Sequence, residues 1–330
     1  MLAGLDDDQG DLGSRKPTPA GSLNPEPTAP PPQGTPGAKE TVIEADGVVA
    51  MAVDDTTIFY ATAGELLSVA IAPGSKPHLL LEEDLALARV GDGEALWGVH
   101  PLTLVGVAVN RDRVFVVDRT WARVFACPKT GCTTSTGGTI HMWGVPNGQI
   151  AVDDALVVWG ETAGIGISLP PTMNGELDAK YGPKDGEPRR IVSTVIDGRS
   201  AGVWLTDNAI LYGDQPKMQR PMVTQPEVSD FAMKDGKAYG IDGAHVLEID
   251  MKTGAKTRYA DVPGVVTKRI VADANGMFVL GERADRQMDL FRVAKDRAEL
   301  VAQLGKVRAI ALGKSYVFVA DSDEIVRVAR

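Results

Sequence analysis

The chain has 330 residues, 34 basic and 44 acidic, giving a formal net charge of −10 and a pI near 5.0. Nucleic-acid recognition needs a surplus of Lys and Arg on one face, so this balance argues against a nucleic-acid binder. No run of about 18 apolar residues offers a membrane-spanning helix, and two cysteines are too few for a disulfide framework or a four-ligand zinc site.

Residues 1–39 read as Pro, Gly, Ser and Thr with scattered acids, and eight of the 21 prolines lie there. Such a stretch lacks the apolar side chains that offset the entropy of ordering, so it is expected to be a disordered tether ahead of a folded domain at 40–330. Met1-Leu2-Ala3-Gly4-Leu5 is too short for the apolar core of a secretory signal, and no lipid-acceptor Cys lies near Met1. A leader or lipid anchor is therefore expected only outside this sequence.

From residue 41 one pattern recurs: an apolar run, an Asp, Asn or Gly turn, then a second run rich in Val and aromatics. Ala52-Val53-Asp54 precedes Ile58-Phe59-Tyr60, Ala108-Val109-Asn110 precedes Val114-Phe115-Val116, and Ala151-Val152-Asp153 precedes Val157-Val158-Trp159. Val195-Ile196-Asp197, Ala232-Met233-Lys234, Ala272-Asp273 and Ala311-Leu312-Gly313 open the remaining copies. The anchors at 54, 110, 153, 197, 234, 273 and 313 are about 43 residues apart on average, the length of a four-stranded propeller blade. Gly74, Gly131 and Gly254, 20 or 21 residues past their anchors, mark a turn after the third strand. The long first step of 56 residues and the two extra residues within 199–202 are the irregularities.

Arg330 directly follows Glu324-Ile325-Val326-Arg327-Val328, a third strand, so the seventh copy lacks its fourth. Glu40-Thr41-Val42-Ile43-Glu44 is left over at the other end. Pairing it into the last blade removes two sheet edges. The expected fold is all-β, a seven-bladed β-propeller closed by an N-terminal strand in the last blade.

The repeats, the aromatic second strands and the Cys127-Pro128-Lys129-Thr130-Gly131-Cys132 turn together resemble the seven-bladed propellers of bacterial surface and periplasmic proteins, many of them lipoproteins with a Pro-rich spacer. The resemblance covers residues 41–330 and implies an extracytoplasmic, monomeric protein of the cell envelope. Cys127 and Cys132 flank a turn, within bridging reach of one another. A bridge there contributes about 2 kcal/mol and belongs outside the reducing cytosol; two free thiols are the alternative.

Four histidines occur: His78, His100, His141 and His245. His100 and His141 lie in connections entering first strands, next to Trp97 and Trp143. In a propeller those connections share a face with the links between strands two and three, which contribute Trp121 and Glu161. Trp97, His100, Trp121, His141, Trp143 and Glu161 are therefore the candidate ligand-binding residues, suited to a protein, peptide or saccharide; packing under their own loops is the alternative. No catalytic residue, metal ligand set or cofactor motif is assigned. The Asp54-Asp55 and Asp153-Asp154 pairs are expected to serve turns. Asp250-Met251-Lys252-Thr253-Gly254 resembles a quinoprotein blade turn without its Trp, so no quinone is inferred. The sequence reads as a non-catalytic binding or scaffold propeller. The alternative is a lyase or lactonase that places a divalent metal on His100, His141 and Glu161.

Overall fold

The computed structural model describes residues 39–81, 102–132, 138–141, 144–162, 164–168, 179–181, 186–196, 198–213, 220–224 and 227–330. The expected tether lies outside these residues except for Lys39, whose Nζ meets Asp321 at 3.1 Å.

The described strands form seven four-stranded antiparallel sheets. Their first strands are β2 (Ala50–Val53), β6 (Leu104–Val109), β10 (Pro146–Val152), β14 (Arg190–Ile196), β18 (Asp230–Lys234), β22 (Val266–Asp273) and β26 (Val307–Leu312). Each touches the next, and β26 touches β2, so they form a closed inner ring. The second strands are β3 (Thr57–Ala61), β7 (Arg113–Asp118), β11 (Val157–Glu161), β15 (Arg199–Leu205), β19 (Lys237–Asp242), β23 (Gly276–Glu282) and β27 (Tyr316–Asp321). The protein is a seven-bladed β-propeller.

The core explains the apolar runs. Seven hydrophobic clusters fill the seven seams between neighbouring blades, so both faces of each sheet are buried. Phe59, Phe115, Trp159, Trp204, Phe278 and Phe318 on second strands are fully buried. Small residues serve the crowded inner ring. A Cβ at Gly148, which has φ of 85°, would stand 2.6 Å from the Val105 carbonyl oxygen, so β6 and β10 meet backbone to backbone only because Gly is there.

The ring closes in the last blade. β1 (Glu40–Glu44) pairs antiparallel with β28 (Glu324–Ala329), Glu40 opposite Arg327 and Glu44 opposite Glu324. Arg327 donates to Glu40 Oε2 from Nε at 2.8 Å and Nη2 at 2.7 Å, and from Nη1 to the Ile71 carbonyl in blade one. Val42 is buried in the seam between blades seven and one.

The two irregularities have different outcomes. The long first step falls between β5 (His78–Leu81) and β6, where 82–101 lie outside the described residues. The extra residues of the fourth copy extend the β14–β15 ladder, in which Ile196 faces Arg199 and Arg190 faces Leu205.

Candidate functional site

The turn acids act as expected on the face of the one–two links. Asp54 Oδ1 accepts the N–H of Thr56 and Thr57, both at 2.8 Å, Asp153 Oδ1 accepts that of Ala155, and Asp250 Oδ1 those of Lys252 and Thr253. Asp54 Oδ2 also takes Lys129 Nζ at 2.7 Å across the seam. Burial pushes the Asp54 carboxyl up, but the Lys129 bond and the two N–H donors outweigh it and hold the group below the ordinary range.

Lys129 belongs to the cysteine turn, which is closed by a Cys127–Cys132 disulfide with Cα atoms 4.9 Å apart. Cys127 lies on β8 (Arg123–Pro128), but Cys132 is not on the facing strand, since β9 begins only at Gly138 (Gly138–His141). Gly131, with φ of 124°, donates its N–H to the Pro128 carbonyl, and Cys132 then donates its own to Leu80 of β5 in blade one. Cys127 and Cys132, 0% and 7% exposed, pack in the seam between blades one and two. The bridged turn is a clasp between blades.

On the opposite face, the strand two–three links carry the predicted ligand residues. Trp121 lies between β7 and β8. Asp118 at the end of β7 accepts the Trp121 N–H through Oδ2 at 2.9 Å, and the Thr103 and Thr120 N–H through Oδ1 at 2.8 and 3.2 Å. Burial raises the Asp118 pKa; these N–H donors and Arg123 oppose the rise without cancelling it. The Trp121 indole is half-buried, packs against the cluster between blades one and two, and has the Arg123 guanidinium 5.4 Å from its ring centre. His141 ends β9, its backbone directly opposite Arg123. The topology thus places Trp121 and His141 at one end of blade two. Trp97, His100 and Trp143 lie outside the described residues, as does the His141 side chain.

Glu161 ends β11, and its side chain is directed inward. It is 1% exposed and Oε1 accepts the Trp159 indole N–H at 2.9 Å. The sequence reading did not identify the latch to which Asp118 belongs. Asp321, at the same place in blade seven, accepts the Gly305 N–H at 2.7 Å, so in both blades an acid at the end of strand two pins the connection entering strand one. A signal existed: an acid stands eight residues past anchors 110, 153, 234 and 313, and nine past 273. The Arg190–Asp230 ion pair at 3.5 Å on the inner ring, whose carboxylate also accepts the Ile270 N–H, was also missed, and no periodic signal marks it. Among the described residues, no group of three or more His, Cys, Asp or Glu is placed to hold a metal, and no helix is long and apolar enough to cross a membrane.

No protein-family profile and no curated protein matches this sequence. Solved structures do match its fold. A chain of the mitotic checkpoint complex superposes with a TM-score of 0.64 at 13% identity, covering 92% of this chain and 97% of that one. The virginiamycin B lyase from Staphylococcus aureus gives 0.64 at 12% identity, covering 89% and 98%. The WD40 repeats of RRP9 give 0.62 at 9%, covering 89% and 99%. A protein-complex component, an enzyme and a repeat domain share the architecture at these identities, so the likeness defines the propeller and leaves the function to the site.

Proposed function

We propose that the protein is a non-catalytic recognition propeller of the bacterial cell envelope, holding a protein, peptide or saccharide on the face of the two–three and four–one links at blades two and three. The observation that carries this reading is the Asp118 latch. It fixes the Trp121 backbone and the incoming Thr103 with three hydrogen bonds, so a half-exposed aromatic backed by Arg123 is held in place before any ligand arrives. Trp97, His100, His141 and Trp143 extend this surface in the proposal. The disulfide supports work outside the reducing cytosol. The lyase alternative draws on Glu161, and that carboxylate already takes the buried Trp159 indole.

Arrays of immobilised peptides and saccharides probed with the purified protein test the reading. Binding that is lost in Trp121→Ala and His141→Ala, with little change in thermal stability, is the expected result. Intact binding with a large loss of stability assigns both residues to packing, and a stoichiometric metal in the purified protein together with turnover moves the assignment to the enzyme.

A further inference from the structure

The seam between blades one and two carries a continuous line from the Trp121 surface to the disulfide. Along β8, Arg123, Phe125 and Cys127 alternate onto the side that meets blade one, while Val124 and Ala126 pack toward blade three. At one end Arg123 lies 5.4 Å from the Trp121 ring centre, and Trp121 packs on the same cluster as Phe125 and Cys127. At the other end the Cys127–Cys132 bridge carries the line out of blade two, where Cys132 donates its N–H to the Leu80 carbonyl at 2.8 Å.

Leu80 is the residue of β5 that its own blade leaves over. β5 is the outermost strand of blade one and pairs with β4 (Leu66–Ala70), where Leu66 faces Leu81 and Leu67 faces Leu79. Leu80 is thus the extra residue of a bulge. Its side chain and that of Leu81 are buried and form part of the blade-one wall of the seam on which Trp121 rests. Cys132 stands on no strand, so without the bridge its hold on Leu80 is one N–H bond and its packing in the seam. Lys129 in the same turn reaches Asp54 of blade one at 2.7 Å.

We propose that formation of the Cys127–Cys132 bridge is a redox switch that sets Trp121: in the dithiol chain, as made in a reducing compartment, the β5 bulge and the seam behind Trp121 are loose, and oxidation locks them. The step is thiol–disulfide exchange with a disulfide-bearing oxidant. Cys132, the less buried of the two, attacks the oxidant as its thiolate, forming a mixed disulfide and expelling one oxidant thiolate. The Cys127 thiolate then attacks Cys132 Sγ, closing the bridge and expelling the second. Two electrons leave the chain, the two thiol protons end on the oxidant's sulfurs, and the oxidant departs as a dithiol. The switch rests on the reading of Trp121 as a ligand surface, and it makes ligand capture wait for an oxidising compartment.

The full chain labelled with 5-fluorotryptophan, compared before and after reduction by dithiothreitol, tests the proposal through fluorine NMR and amide hydrogen exchange, with Trp121→Phe assigning the Trp121 signal. Reduction should shift or broaden that signal and leave those of the buried Trp159 and Trp204, which lie in other seams, in place. Exchange at the Cys132 amide should rise by about thirtyfold, the loop-closure contribution expressed as a rate, with amides of blades five and six unchanged. The double variant Cys127→Ala with Cys132→Ala should reproduce the reduced spectrum; if it does not fold, the reduced parent chain reads the same state. An unchanged Trp121 signal on reduction overturns the proposal, as does exchange that rises equally in every blade. On the peptide and saccharide arrays, a ligand held by the oxidised chain should bind about tenfold more weakly or not at all after reduction, and equal binding in both states also overturns the switch. Binding by neither form, with Trp121 still responding to reduction, counts against the ligand reading alone.

Discussion

Closure of the ring by β1 can be tested at one side chain. Val42 is 1% exposed and packs in the seam between blades seven and one with Val48, Met51, Ile58 and Phe318. Val42→Ala removes two methyl-sized groups from that seam. At about 0.8 kcal/mol each plus a small cavity term, the loss is about 2 kcal/mol. Val42→Asp leaves a carboxylate without a partner in the same apolar place, which costs about 4 kcal/mol or more. For a domain of this size a loss of 1 kcal/mol lowers Tm by about 2 °C, so the expected drops are about 4 °C and about 8 °C or more. Thr41, one residue earlier, is exposed and its hydroxyl donates to the half-buried Glu324, so Thr41→Ala should stay within about 1 °C. Calorimetric melting of the three variants and the parent chain reads all of this directly. If Val42→Asp melts with Thr41→Ala, β1 does not close the ring and the argument from a surplus strand fails.

Three further outcomes follow from the geometry. Replacing Cys127 and Cys132 with Ser, or reducing the bridge, should cost about 2 kcal/mol; unreduced protein from its native host should show no alkylated cysteine by mass spectrometry, and two labelled thiols would refute the bridge. Gly166 lies opposite Trp159 on β12 (Gly164–Ser168), and a Cβ there would run into the fully buried indole, so Gly166→Ala should cost about 2 kcal/mol or more and alter the near-UV circular dichroism; an unchanged spectrum and Tm would show that the seam adapts. Arg330 donates to Asp273 and, at 2.7 Å, to the Gly313 carbonyl. Burial would raise the Asp273 pKa, but Arg330 and the Asn275 and Gly276 N–H groups hold it below its ordinary 3.8. A depressed carboxyl stabilises the fold above its unfolded pKa and loses that contribution as pH falls through its folded value. The urea-midpoint deficit of Arg330→Met should therefore be constant from neutral pH down to about 5 and shrink below the ordinary carboxyl range; an equal deficit throughout would mean that Arg330 acts by packing alone.

Most of the fold was legible because a repeat states its pattern seven times. Each anchor from 54 to 313 stands at or directly after the end of a first strand, and the aromatic run after it became the second strand, since both depend on local turn chemistry and on burial from two sides. Glu40–Glu44 could be assigned to the last blade because a surplus and a deficit of one strand left one solution. The clasp was half legible. Two cysteines around a Gly turn predicted the bridge, but the contacts of Cys132 with Leu80 and Lys129 with Asp54 join different blades, and no spacing within one copy encodes them.

The acids show where pattern stops being sufficient. Asp118, Glu161 and Asp321 end second strands at the same repeat position, so the sequence treats them alike. Their lone pairs are used differently: Asp118 takes three backbone N–H groups, Glu161 an indole, and Asp321 one N–H and Lys39. Asp230 stands at the start of a first strand, where no copy repeats it, and has an Arg on the neighbouring inner strand to each side. An acid whose acceptors are filled by its own blade is a fastening, and its charge is hidden from a ligand. An acid that reaches both neighbouring blades, as Asp230 does to Arg190 and to the Ile270 N–H, ties three blades at once, and the spacing within one copy does not encode that.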